Sequence, residues 1–132
     1  MKLDSTLISG AGNTFHILFN LKNLKPSSEL AIKLCQSFPA DGVVFLKSND
    51  DRLYYEWDFY NNDGSVAEMC GNATRCVGYY VENILNSPQK KIELMTISGG
   101  IQIQMLGHHQ YQVYMTRPQI ISHEKLFVCN TG

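Results

Sequence analysis

A cysteine placed where a turn-rich segment becomes a helix can be a small buried hydrophobe or a nucleophile, and Cys70 is so placed. Behind it lies Asn61-Asn62-Asp63-Gly64, the strongest turn signal in the chain. Ahead of it Val77, Tyr80, Val81, Ile84 and Leu85 form an apolar stripe, which predicts a helix from about Gly71 to Asn86, ended by Ser87-Pro88. A sulfur at that helix start would meet backbone N–H groups and the positive end of the helix dipole. Both favour a thiolate and any carboxylate brought to it. From position alone, packing as a small apolar group competes with this reading. Cys76 falls about 240° further round the same helix, which predicts sulfurs on different faces and argues against a redox pair or a shared metal site. Cys76 and Cys35, beside Val77 and Leu34, read as packing residues, and Cys129 has no nameable partner.

Other chemistries find little support. Gly10-Ala11-Gly12-Asn13 begins like a dinucleotide fingerprint but lacks the third glycine and precedes a strand, so it reads as a turn or as a loop bringing polar atoms to a ligand. His108 and His109 fall at a hairpin tip, and His16 and His123 have no acidic or thiol neighbour at useful spacing. There is no Gly-x-Ser-x-Gly elbow and no carboxylate pair suited to glycoside chemistry. Asp58, Asp63, Glu56 and Glu68 read as residues that solvate strand faces and turns.

The elements that must position Cys70 follow from the apolar pattern. Strands are predicted over Thr14–Leu21, Val43–Leu46, Leu53–Tyr60, Ile92–Thr96, Ile101–Leu106 and Tyr111–Thr116, the last two forming a hairpin through Gly107-His108-His109-Gln110. A first helix starts near Ser27-Ser28, carries Leu30, Leu34 and Phe38, and stops at Pro39. Strands, helix, strands, helix, strands is the order of an α+β domain with mostly antiparallel neighbours. At 132 residues, 44% of them apolar, the chain is one domain's worth of globular sequence. A formal charge of −1 gives no basic surplus for a phosphate backbone, so nucleic acid is not an expected partner. Neither a signal peptide nor a membrane span can be read, and the four cysteines suit reduced thiols in the cytoplasm.

Three segments together resemble the N-terminal half of diaminopimelate epimerase: Gly10-Ala11-Gly12-Asn13-Thr14-Phe15, Ala40-Asp41-Gly42-Val43-Val44, and the run from Tyr60 through Asn61-Asn62-Asp63-Gly64 and Met69-Cys70-Gly71-Asn72-Ala73-Thr74-Arg75-Cys76 to Val77. Val128-Cys129-Asn130-Thr131-Gly132 also looks like the start of a later family motif. The resemblance implies a mixed, mostly antiparallel sheet curled around a central helix, with two helices in all. It implies cofactor-independent interconversion of LL- and meso-diaminopimelate by two thiol groups, with no metal. It makes Cys70 the first catalytic cysteine, Gly71 and Asn72 the helix-start positions that hold the reacting carboxylate, and Asn13 and Asn61 substrate contacts. Gly64, with Asp63, would shape the turn that delivers Asn61.

Two departures stand out. Ala73-Thr74 replaces the glycine that usually follows Cys-Gly-Asn, which predicts a tighter backbone approach there, and the later Cys-Gly-x-Gly segment that carries the family's second catalytic cysteine is not among these residues. Residues 1–132 are therefore expected to be the N-terminal domain of a two-domain enzyme, inactive alone. Its partners would be a small-molecule substrate and the C-terminal domain of the same enzyme. A sheet edge would be left open to accept a strand or a second copy as a homodimer. The alternatives are a related amino-acid racemase or isomerase of the same fold, a non-catalytic amino-acid-binding module, and a thiol-redox protein using Cys70 and Cys76.

Overall fold

The computed structural model describes residues 4–48, 54–68 and 70–115. Two tight hairpins organise the ends of its sheet. At the first, Ala11 and Gly12 both take positive φ (50° and 89°), the condition for a two-residue turn matching the twist of the flanking strands. That turn joins β1 (Thr6–Gly10) to β2 (Asn13–Phe19), with Gly10 opposite Asn13. The predicted strand from Thr14 is thus half of a hairpin whose first strand the apolar pattern does not reveal. At the second hairpin, His108 and His109 take φ of 56° and 61° between β6 (Gly99–Gly107) and β7 (Gln110–Met115).

Between β2 and β3 (Gly42–Ser48), α1 (Ser28–Ser37) crosses over, so these strands pair in parallel. Ser27 caps the helix by accepting the Leu30 N–H at 3.1 Å, and Phe38 closes it before Pro39. Phe38 is largely exposed, the end of the helix rather than part of its buried stripe. The chain continues through β4 (Tyr54–Asn61), α2 (Gly71–Tyr79) and β5 (Lys91–Thr96). The helix predicted to reach Asn86 is α-helical only to Tyr79. Tyr80–Ile84 winds as a π-helical turn, where the Leu85 N–H reaches back to Tyr80 O at 3.0 Å.

The seven strands lie in sequence order in one sheet, with parallel pairing at β2·β3 and β4·β5 and antiparallel pairing elsewhere. This matches the expected mixed, mostly antiparallel sheet with two α-helices. β2 and β3 are buried on both faces, which explains their unbroken apolar runs. Leu18, Val43 and Phe45 face Ala31 and Leu34 of α1, while Phe15, Ile17, Val44 and Leu46 join the core that holds Ala73, Cys76, Val77, Tyr80 and Val81. β4 is covered on one face only and alternates cleanly, burying Tyr55, Trp57 and Phe59. The helix α2 packs against β1 and β2 near one edge and β6 and β7 near the other. Seven strands laid flat would span about 29 Å, far more than one helix about 10 Å wide can bridge, so the sheet curls.

Candidate active site

The start of α2 is delivered to one end of the sheet by local pairing. β2 begins at Asn13, β3 begins at Gly42, and β4 ends at Asn61 opposite Gly42, so these three residues share that end. After Asn61 the chain turns back on itself: the Gly64 N–H donates to Asn61 O at 3.0 Å and the Asn61 N–H to Ser65 O at 2.8 Å. Val66 bridges back to Tyr60, and the Ala67 N–H donates to Phe59 O at 2.9 Å. This return run, anchored by buried Ala67, leads the chain to the helix start three residues on.

Gly64 fits the turn for two reasons. Its φ of +91° disfavours any side chain, and a Cβ there would lie 2.8 Å from Ile32 Cδ1 of α1. Asp63 does more than solvate the turn. Its Oδ1 accepts the Ser65 N–H at 2.9 Å and the Ser65 hydroxyl at 2.6 Å, and these bonds hold its carboxyl below the usual range. The same Ser65 Oγ accepts Asn61 Nδ2–H at 3.0 Å.

Cys70 is the N-cap of α2, with extended backbone (φ −141°, ψ 134°), and its side chain makes no cap hydrogen bond. It is half-buried against the core. The first helical hydrogen bond runs from the Thr74 N–H to Cys70 O at 3.0 Å, which leaves the amides of Gly71, Asn72 and Ala73 ahead of the intrahelical ladder. Asn72 Nδ2 donates to Asn13 Oδ1 at 2.7 Å across 59 residues of sequence. That bond ties the helix start to the first residue of β2.

The structure therefore brings Cys70, Gly71, Asn72 and Asn13 together. Asn61 lies at the same sheet end with its amide engaged by Ser65. Asp41, not singled out from the sequence, brackets these segments. Its Oδ2 accepts the Thr14 N–H at 2.8 Å, its N–H donates to Thr14 O at 2.8 Å, and its O accepts the Asn62 N–H at 3.1 Å. Its place in Ala40-Asp41-Gly42, a segment already marked by resemblance, was the available signal.

Ala73 follows Asn72 in the first turn of α2. Its methyl is fully buried in the α2 core, and the buried Thr74 hydroxyl lies 2.9 Å from Gly71 O, within the helix. Neither Ala73 nor Thr74 therefore projects as an exposed side chain at the helix start.

Cys76 is buried, its Sγ 3.9 Å from Ile8 O and close against Gly10. Burial first, and the nearby Cys70 charge second, push its thiol up to about 11. It is a packing residue in the core beside Val77. Burial and the Asp41 charge raise the thiol of half-buried Cys35, and a hydrogen bond to the Ala40 backbone opposes them. His16 is buried, with Ser5 Oγ 2.8 Å from Nδ1 and Phe38 O 2.8 Å from Nε2. The carbonyl can only accept, so Nε2 carries a proton and donates to it. Cys129 and His123 lie outside the described residues. Among the described residues no cluster of His, Cys, Asp or Glu could hold a metal ion, and no helix is long and apolar enough to cross a membrane.

The sequence model of the family described as Diaminopimelate epimerase matches residues 6–121. The chain belongs to the diaminopimelate epimerase family. Among curated members, it is 45% identical over 89 residues to the diaminopimelate epimerase of Helicobacter pylori (strain HPAG1), covering 65% of this chain and 32% of that protein. It is 39% identical over 117 residues to that of Carboxydothermus hydrogenoformans, covering 83% of this chain and 42% of that protein. For Microcystis aeruginosa the figures are 30% over 131 residues, 94% and 47%. The chain thus matches about a third to about a half of the length of these epimerases. Solved structures with the same fold include a PhzF-family phenazine biosynthesis protein from Enterococcus faecalis (TM-score 0.59, 15% identity, 73% of this chain and 35% of that one). A PhzF-family protein from Bacillus anthracis also has TM-score 0.59, at 14% identity, covering 83% and 37%.

Proposed function

We propose that this chain is the N-terminal, single-thiol half of a two-domain epimerase that interconverts LL- and meso-diaminopimelate without a cofactor, in the cytoplasm, for lysine and cell-wall biosynthesis. In this reading α2 is the central helix of the curled domain and its N-terminus carries the chemistry. The problem is to remove a weakly acidic α-proton from one face of a carbon and return a proton to the other. One base cannot serve both faces, so two groups flank the carbon. Cys70 as thiolate takes the proton from its side, leaving a carbanion whose charge spreads into the adjacent carboxylate. A thiol from a later Cys-Gly-x-Gly segment in the second domain then donates a proton from the opposite side.

The amides of Gly71 and Asn72 hold the carboxylate and offset its growing charge, as the positive end of a helix can. Asn13 and Asn61 orient the rest of the substrate. The Asn72–Asn13 hydrogen bond carries this reading, because it fixes the helix start bearing Cys70 and the start of β2 in one place. Similarity to named diaminopimelate epimerases over residues 6–121 supports the substrate.

The test is conversion of LL- to meso-diaminopimelate by the full-length protein with no cofactor added, followed by chiral chromatography. Conversion is expected, and its absence in folded protein overturns the proposal.

A further inference from the structure

Resting on the reading of Asn61 as a substrate contact, we propose that Ser65 and Asp63 are positioning residues that set which end of the Asn61 amide faces the ligand. An asparagine amide has a donor end and an acceptor end of nearly equal shape, so a turn that merely places Asn61 leaves its polarity open. Here the polarity is dictated one bond at a time. The Asp63 carboxylate has no proton to give and lies 2.6 Å from Ser65 Oγ, so the serine hydroxyl proton is committed to it. Ser65 Oγ is then left with lone pairs only. The side chain 3.0 Å away must offer it an N–H, and Asn61 does so through Nδ2. Asn61 Oδ1 is thereby turned away from Ser65, an acceptor suited to an ammonium group rather than a carboxylate.

The backbone of the turn does not depend on this chain of side chains. The Asn61 N–H to Ser65 O and Gly64 N–H to Asn61 O bonds hold the loop whatever occupies Ser65 Cβ. Position and polarity of Asn61 are separately encoded, and a substitution at Ser65 can address polarity alone. Because its hydrogen bonds hold Asp63 below the usual carboxylate range, the device stays set throughout the neutral range.

The experiment uses the full-length protein with Ser65→Ala, Ser65→Thr, Asn61→Ala and the Asn61→Ala/Ser65→Ala double variant. Steady-state kinetics are read with diaminopimelate, and the Asn61 side-chain N–H₂ signals are read by NMR without ligand. Ser65→Ala should raise KM about five- to tenfold with kcat nearly unchanged, the loss of one oriented hydrogen bond. It should also move the Asn61 amide signals toward those of a freely rotating group. Ser65→Thr, which keeps the hydroxyl, should restore both. In the Asn61→Ala background Ser65→Ala should have no further effect on KM.

Unchanged Asn61 signals in Ser65→Ala, or additive effects in the double variant, would overturn the proposal. Failure of the wild-type protein to act on diaminopimelate would count against the functional reading instead, and the ligand-free NMR comparison would still decide the polarity.

Discussion

The reactivities of Cys70 and Cys76 should differ widely, and the structure sets the scale. Cys76 is buried beneath β1, and its thiol rises from an ordinary 9.0 to about 11. The thiolate is the nucleophile, so this shift alone makes the reactive form of Cys76 about a hundred times scarcer at any pH below 9. Burial also blocks the reagent, so the total disadvantage exceeds a hundredfold. Cys35 is half-buried and its thiol is raised as well, which places it below Cys70. Cys70, half-buried like Cys35, caps a helix with no hydrogen-bond partner for its side chain there.

The assay is a time course of iodoacetamide labelling of native protein at pH 8, with peptide mass spectrometry resolving each cysteine. Cys70 should label at least a hundredfold faster than Cys76 and measurably faster than Cys35, and the differences should vanish in denaturant. Native labelling of Cys76 or Cys35 as fast as Cys70 would refute the reasoning, since it would remove the distinction between a site thiol and packing thiols.

Three further outcomes are expected. Gly64→Ala should cost about 2–4 kcal/mol in urea unfolding, from a left-handed backbone and a clash with Ile32, and a loss under about 0.5 kcal/mol would contradict this account of the turn. A double-mutant cycle on Asn13→Ala and Asn72→Ala should give a coupling of about 0.5–1.5 kcal/mol in stability, whereas additive effects would mean the 2.7 Å bond does not tie β2 to α2. Tyr111→Phe removes the 2.5 Å bond to Glu82 and should cost about 1 kcal/mol. Burial and then that bond raise the Tyr111 phenol, so the native state keeps its proton longer than the unfolded chain does. Wild-type stability should hold below pH 10 and fall as pH rises above it, and this alkaline loss should shrink in the variant when unfolding is followed against pH.

The site's residue types were legible from motif alone, and so was Cys70 at the head of a helix. Its surroundings were not. Thr6–Gly10 buries only Ile8, so the first strand carries no alternation to read, and only its pairing with β2 defines it. The close packing of α2 under β6 and β7 was equally hidden: Gly78 lies so near Tyr111 that a Cβ would come within 2.9 Å. No local periodicity records that contact. The Asn72–Asn13 bond joins residues that only sheet topology makes neighbours, and the bracketing by Asp41 arises in the same way. The elements that were read well, α1 with its Ser27 cap and β4 with its alternating aromatics, are those whose signals are local.

The most direct test of Cys70 as the base is deuterium incorporation at the α-carbon of diaminopimelate by the full-length protein in D₂O, wild type against Cys70→Ala. Wild-type protein should exchange the proton, and the variant should lose about 10²–10⁴-fold in rate while keeping its fold. Exchange at the wild-type rate by Cys70→Ala would contradict the account, because some other group would then be taking the proton.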